Sequence, residues 1–327
     1  MKRRHALAGA ALAATLLGWG HNPATAQTFP PPKPVTMVVG FAPGGAADMA
    51  ARLIASELGG LIGQSVVVEN RAGAGGNIAH ALVAKGPKDG SMLLFGSVGP
   101  LTISPHLMKL NYDPFKDLAP VSGGVHFPNL LVVHQGTGMK RFADFIAKAK
   151  AQPDTVEYAS SGAGSASHLT GVLLGQRAGA AMVHVPYKGG APALQDVLGQ
   201  RVTAYFAAPP TAMPYVATGQ LTALATTGLT RPDYMPDVPT VAESGFPGFE
   251  ALNWYAFVAP AGTPDALLEQ WNAAIVQVLD KPTVKDSLKK HGLTPHPTTR
   301  QGLADFMQAE YDKWGQVVKE GNLAGAR

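Results

Sequence analysis

The stretch Val38-Val39-Gly40-Phe41-Ala42-Pro43-Gly44-Gly45-Ala46-Ala47-Asp48 constrains this chain more than any other. A β-branched strand runs into a Pro-Gly-Gly turn, and an amphipathic helical pattern begins at once. The glycines let backbone approach a ligand closely. The helix start presents unpaired N–H groups at the positive end of its dipole. Together they make an anion cradle out of backbone. The stretch has no Walker lysine and no G-x-G-x-x-G, so it suits a small carboxylate rather than a nucleotide.

The same alternation continues along the chain. Val35–Val39 precedes a helix with Leu53, Ile54, Leu58 and Leu61 on one side, and Ser65–Glu69 is the next strand. The turn Gly73-Ala74-Gly75-Gly76-Asn77 opens a second helix before the strand Met92–Phe95. Short, continuous apolar strands between helices predict parallel sheets covered on both faces. A second such run starts at Leu130–Val133. It continues through Val156–Ala159, Met182–Val185, Val202–Phe206 and Leu221–Ala225. Two runs predict two lobes, with Trp254–Val258 returning to the first. Thr263 with Pro264 reads as a helix start. Leu267, Trp271, Ala274 and Val278, then Met307, Tyr311, Trp314 and Val318, recur at helical spacing as packing faces.

The N-terminus reads as an export signal. Lys2, Arg3 and Arg4 precede the apolar run Ala6–Leu17, and Ala24-Thr25-Ala26 is an A-x-A cleavage site that leaves Gln27 first. Losing residues 1–26 removes three positive charges and takes the formal net charge from +4 to +1. A near-neutral mature chain argues against nucleic acid binding. With no cysteine there is no disulfide, thiolate metal site or lipid-modified cysteine. The proline-rich Thr28–Pro34 segment reads as an extended leader. The expectation is a periplasmic, monomeric protein.

A second cradle is Ala159-Ser160-Ser161-Gly162-Ala163-Gly164-Ser165-Ala166-Ser167-His168, which also joins a strand to a helix. In open α/β sheets, ligands sit beyond the carboxyl ends of strands. One cradle per lobe would therefore face the other across a cleft. Asp48 opposes a bound anion. It is expected to accept loop N–H groups or to pair with Arg52 at i,i+4. His168 is either a ligand contact or a helix-face residue. Tyr187 stacks on or hydrogen-bonds a ligand, and Lys188 is either a countercharge or solvated. His80, His106, His126, His134, His184, His291 and His296 show no metal spacing, so no metal or cofactor is expected. Ser160 or Ser165 with His168 is the hydrolase alternative, but no G-x-S-x-G elbow is present and no catalytic residue is assigned.

These motifs, in order, resemble the Bug family, the solute-binding receptors of tripartite tricarboxylate transporters. They include Phe41–Gly45 with Asp48 and Ala51-Arg52, and Val67-Val68-Glu69-Asn70-Arg71 with Gly73–Gly76. Tyr158-Ala159-Ser160 with Gly164, Ser165 and His168 follows, then His184–Ala193, Pro236–Thr240, Pro247–Glu250 and Ala259–Pro264. The resemblance implies a two-lobed, type II periplasmic-binding (Venus-flytrap) α/β fold with the ligand cleft between the lobes. Lobe 1 would be 27–128 plus 253–327, and lobe 2 would be 129–252. The implied function is capture of a dicarboxylate or aromatic acid for a membrane permease, with a sensor role as the alternative. The cradles and the resemblance assign ligand contact to Phe41, Pro43, Gly44, Gly45, Ala46, Ala47, Asp48, Ser97 and Phe127 in lobe 1. In lobe 2 they assign it to Ser160, Ser161, Gly162, Gly164, Ser165, His168, Tyr187 and Ala207. Three places depart from the family pattern: Ala207-Ala208-Pro209-Pro210, Val172-Leu173-Leu174 after Gly171, and Gly90-Ser91-Met92. The first lacks a common acid, which suits a carboxylate without an α-amino group.

Overall fold

The computed structural model describes residues 28–320 and Leu323. The export signal and its cleavage site lie outside the described residues. The chain starts with β1 (Val35–Val39), α1 (Ala46–Ile62), β2 (Val66–Asn70), α2 (Asn77–Ala84), β3 (Met92–Ser97), α3 (Ser104–Leu107) and β4 (Leu118–Pro128). It crosses at Asn129 into β5 (Leu130–His134), α4 (Phe142–Ala151), β6 (Glu157–Ser160), α5 (Ala166–Ala178), β7 (Val183–Pro186), α6 (Gly190–Leu198), β8 (Ala204–Ala207), α7 (Pro209–Ala217) and β9 (Leu221–Thr226). It returns as β10 (Leu252–Pro260), α8 (Asp265–Asp280), α9 (Pro282–Lys290), β11 (Thr294–Pro295) and α10 (Arg300–Glu320).

The strands form two sheets, ordered β11-β4-β10-β3-β1-β2 and β7-β6-β8-β5-β9. This is the two-lobed α/β architecture. The sheets are mixed rather than parallel as expected. β10 runs antiparallel to both β3 and β4, and β5 antiparallel to both β8 and β9. The reason is topological. β5 and β10 enter their sheets from the crossing, so they run against the strands whose carboxyl ends point to it.

β4 is the strand the apolar pattern misses, because Ser122-Gly123-Gly124 interrupts it. Both glycines serve close approach. A Cβ on Gly124 would lie 2.8 Å from the Phe95 ring and from the Tyr255 carbonyl, and one on Gly123 would meet the His296 carbonyl. Thr263 is not the cap of α8: its hydroxyl donates to the Pro260 carbonyl at 2.8 Å, and Pro264 takes the cap position. The proline-rich leader is docked rather than free. Phe29 meets Trp271 edge-on at 5.0 Å, and the Pro31 carbonyl accepts from Gln64. Fully buried Trp271, like Trp314, contributes roughly 2–3 kcal/mol of apolar burial.

The two crossings are tied together by Thr227. Its Oγ1 accepts the Asn129 N–H at 2.8 Å and donates to the Ala251 carbonyl at 2.7 Å. Its own N–H donates to the Asn129 carbonyl at 3.0 Å. The hinge is thus held by backbone and one hydroxyl. Among the described residues, no helix is long and apolar enough to cross a membrane.

Candidate functional site

Both cradles form as strand-to-helix turns, and each is rigidified by its own side chains. In the first, Gly44 adopts a left-handed φ of +82°. Its N–H donates to Asp48 at 3.1 Å. Asp48 also accepts from Arg52 Nε at 3.0 Å and Asn70 Nδ2 at 2.9 Å. Asn70 Nδ2 also reaches the Phe41 carbonyl. Burial pushes the Asp48 carboxyl up, but the bonds from Arg52, Gly44 and Asn70 outweigh it and hold the acid below its ordinary value. Asp48 therefore clamps the loop. Both its oxygens are engaged within the protein, including the pairing with Arg52, and it is not among the residues that line the cavity between the lobes.

In the second cradle, the Gly162 N–H donates to Ser160 Oγ at 3.0 Å, and that hydroxyl pairs with His184 Nε2 at 2.6 Å. The Ser161 N–H donates to Ser167 Oγ at 3.0 Å. Ser165 caps α5 by accepting the His168 N–H. His168 Nδ1 accepts the Gly164 N–H at 3.1 Å, so its proton sits on Nε2. The His168 ring stacks on His184 at 3.8 Å. Burial lowers His168 to about 4; burial and the neighbouring ring lower His184 to about 3. Both are neutral at physiological pH. The partner of Ser160 is thus His184, not His168. Ser160 is fully buried, and Ser165 is engaged as a cap, so neither is placed as a nucleophile.

The lobes meet directly. The Ala42 N–H donates to the Lys188 carbonyl at 2.9 Å. The Gly73–Gly76 turn bears on the second cradle, where a Cβ on Gly162 would sit 2.7 Å from the Gly75 Cα. A Cβ on Gly99 would lie 2.5 Å from the Gly164 carbonyl.

Between the lobes lies a narrow cavity of about 20 Å³, room for roughly one water molecule. Lobe 1 lines it with Phe41, Ala47, Asn253 and Tyr255. The second sheet and its helices contribute Ser161, Ser167, Gly190, Tyr205, Phe206, Ala208 and Thr211, and Asn129 lines it from the crossing. Ala47, Ser167, Gly190 and Thr211 belong to the first turns of α1, α5, α6 and α7. Four helix N-termini thus converge on one space, and no charged side chain is among the described residues that line it. In α1, α5 and α6 the leading amides are donors that the helices cannot pair internally, whereas α7 opens with Pro209 and Pro210 and its Thr211 N–H donates to the Ala208 carbonyl at 3.0 Å. Tyr205 and Tyr255 line the cavity from opposite lobes. Burial pushes both phenols up, so both are neutral donors.

Of the seventeen expected contacts, Phe41, Ala47 and Ser161 line this cavity. Gly45 and Ala46 are buried at the start of α1, while Pro43 and Gly44 stand on the exposed rim. Ser97 is buried with its Oγ unpaired, 3.7 Å from where a Gly76 Cβ would be. Phe127 is buried against Tyr255, with ring centres 5.5 Å apart. Ala207 is buried at the end of β8. Gly162 and Gly164 bear on lobe 1, and Ser160, Ser165 and His168 support the loop from beneath. Tyr187 donates to Asp196 of α6 at 2.6 Å and is not among the residues that line the cavity. The cavity-lining residues that sequence reasoning missed include Asn129, Tyr205, Thr211, Asn253 and Tyr255. One signal was readable: Ala207-Ala208-Pro209-Pro210 is a further strand-to-helix turn, with proline at the first helical position.

Comparison with known proteins agrees with this fold. Residues 50–323 match the family model described as "Tripartite tricarboxylate transporter family receptor". Protein BugT of Bordetella pertussis is 38% identical over 300 residues, covering 91% of this chain and 92% of its own. A Rhodopseudomonas palustris protein solved with adipate superposes with a TM-score of 0.87 at 35% identity, covering 90% of this chain and 99% of its own. MatC of the same species, solved with bound malate, gives a TM-score of 0.84 at 33% identity, covering 88% and 99%. A two-lobed α/β fold, matched by a family model over most of its length, makes this chain a member of the tripartite tricarboxylate transporter receptor family, the periplasmic solute-binding receptors.

Proposed function

We propose that this receptor captures an organic carboxylate by lobe closure and delivers it to the permease of a tripartite tricarboxylate transporter. The observation that carries the reading is the convergence of three helix starts with leading amide donors, those of α1, α5 and α6, on a cavity with no charged side chain among the described residues that line it. Such a site favours an anion through fixed amide donors, and its enclosure strengthens each bond. The relatives solved with adipate and malate support the same chemical class. The ligand carries no α-amino group, because Asp48 is engaged by Gly44, Arg52 and Asn70 and no acid is among the described residues that line the cavity. Phe41 and the two tyrosines suit an aliphatic chain or an aromatic ring between polar ends.

The reading includes export with cleavage after Ala26, and a monomer that works in the periplasm. It also takes 27–128 plus 253–327 as one lobe and 129–252 as the other. Closure is a population shift, driven by contacts made only when the lobes meet. The test is a thermal-shift screen of unfolded and refolded mature protein. The panel holds C4–C6 dicarboxylates, citrate, aromatic acids, acidic amino acids and neutral amides. An acid without an amine at a hundredfold excess over its Kd should raise the Tm by about 5 °C or more. If every acid leaves the Tm unchanged, the carboxylate assignment fails.

A further inference from the structure

The helix N-termini account for one end of a ligand; Asn129 is unexplained by them. It occupies the crossing between β4 and β5, is fully buried and lines the cavity. Its backbone N–H and carbonyl are both bonded to Thr227, so the hinge does not need its side chain. Neither Nδ2 nor Oδ1 has a hydrogen-bond partner among the described residues. A buried carboxamide unpaired at both ends is unfavourable, and in native structures such a group calls for a specific explanation. Thr211 Oγ1 is a second unpaired atom at the same cavity.

The two kinds of group ask for different partners. Helix amides only donate, and a carboxylate answers them. A carboxamide needs an acceptor for Nδ2 and a donor for Oδ1. A second ligand carboxylate would accept from Nδ2, leave Oδ1 unpaired and bury a charge where no cation stands. An uncharged group that both donates and accepts satisfies both ends of Asn129.

We infer that Asn129 is the specificity-determining residue of the cleft. It selects a ligand with one carboxylate and, at the other end, an uncharged donor–acceptor group such as a carboxamide. This rests on the carboxylate-receptor reading above and narrows it. The experiment is calorimetry on the refolded mature protein with succinate, glutarate and adipate, each paired with its monoamide. In the wild type, the monoamide of the best-fitting length binds about tenfold or more tighter than its diacid. Asn129→Leu removes the carboxamide at similar volume and brings that ratio to about one, without lowering the Tm. If the leucine variant does not fold, Asn129→Ala is read by the same ratio. Wild-type binding of the diacid as tightly as the monoamide overturns the inference and leaves the carboxylate receptor standing. A ratio unchanged by the substitution overturns it equally. No binding of any of these acids or monoamides overturns the inference, while the wider thermal-shift panel decides the receptor reading.

Discussion

Asp48 puts a carboxylate in the first turn of the helix that faces the cavity, where it would repel the ligand if it were free. Its bonds to Gly44, Arg52 and Asn70 turn it into a clamp on the loop. Asp48→Asn weakens that clamp, and denaturant melts should show a loss of about 1 kcal/mol, because Arg52 is half exposed and the pair is partly screened. The Asp48 acid is held below its ordinary value. Its contribution is therefore present above an unfolded pKa of about 3.9 and is lost as pH falls through the lower folded value. His168 works at higher pH. Its folded value is about 4, against about 6.5 unfolded, so between these the unfolded state binds the extra proton. Stability should fall as pH drops from about 6.5 to about 4, by on the order of 3 kcal/mol from His168 alone. His80, fully buried and also held at about 4, adds in the same direction. Melting curves at pH 7.5 and 5 check this. His168→Asn keeps an acceptor for Gly164 and should flatten the slope; an unchanged slope would assign the titration elsewhere.

At the scale of elements, the working unit is a strand, a tight turn and the start of a helix, used several times around one space. In α1 the turn depends on Gly44, whose left-handed φ disfavours any side chain. Gly44→Asp adds strain, points a Cβ at Ala191 of α6 and sets a second acid beside Asp48. Calorimetry with the best ligand of the screen should show at least about a hundredfold weaker binding. Unchanged affinity would remove this turn from the site. The first two cradles were legible because their residues are contiguous and their pattern is local. β4 was not, because Gly123 and Gly124 break the apolar run for the sake of contacts with β10 and His296, far away in sequence. The direction of β5 and β10 was equally hidden. It follows from where the chain crosses, not from the residues within each strand.

Over the whole molecule, the closed arrangement depends on glycine meeting glycine across the lobes. Gly99 gives the cleanest handle. Its φ lies outside the left-handed region, yet a Cβ there would sit 2.5 Å from the Gly164 carbonyl and 3.1 Å from the Ser165 Cα of the opposite lobe. Gly99→Ala therefore opposes closure rather than folding. The ligand-free Tm should stay within a few degrees of wild type while affinity falls about tenfold or more. Small-angle scattering should show less compaction on ligand addition than in the wild type. A variant that closes and binds normally would show that these loops do not meet in the liganded state.

The sequence by itself determined the α/β alternation, the two lobes and the two principal cradles. These rest on local patterns: apolar strand runs, Gly-rich turns and helical periodicity. It also indicated the role of Asp48, because an i,i+4 partner is a local fact. Only the tertiary structure decided that Ser160 pairs with His184, that Tyr187 turns to Asp196, and that Asn129, Tyr205, Thr211, Asn253 and Tyr255 surround one cavity. Those groups are brought together by two chain crossings and by closure of one lobe on the other. Their meeting is fixed by the path of the chain through space, and no short window of residues records that path.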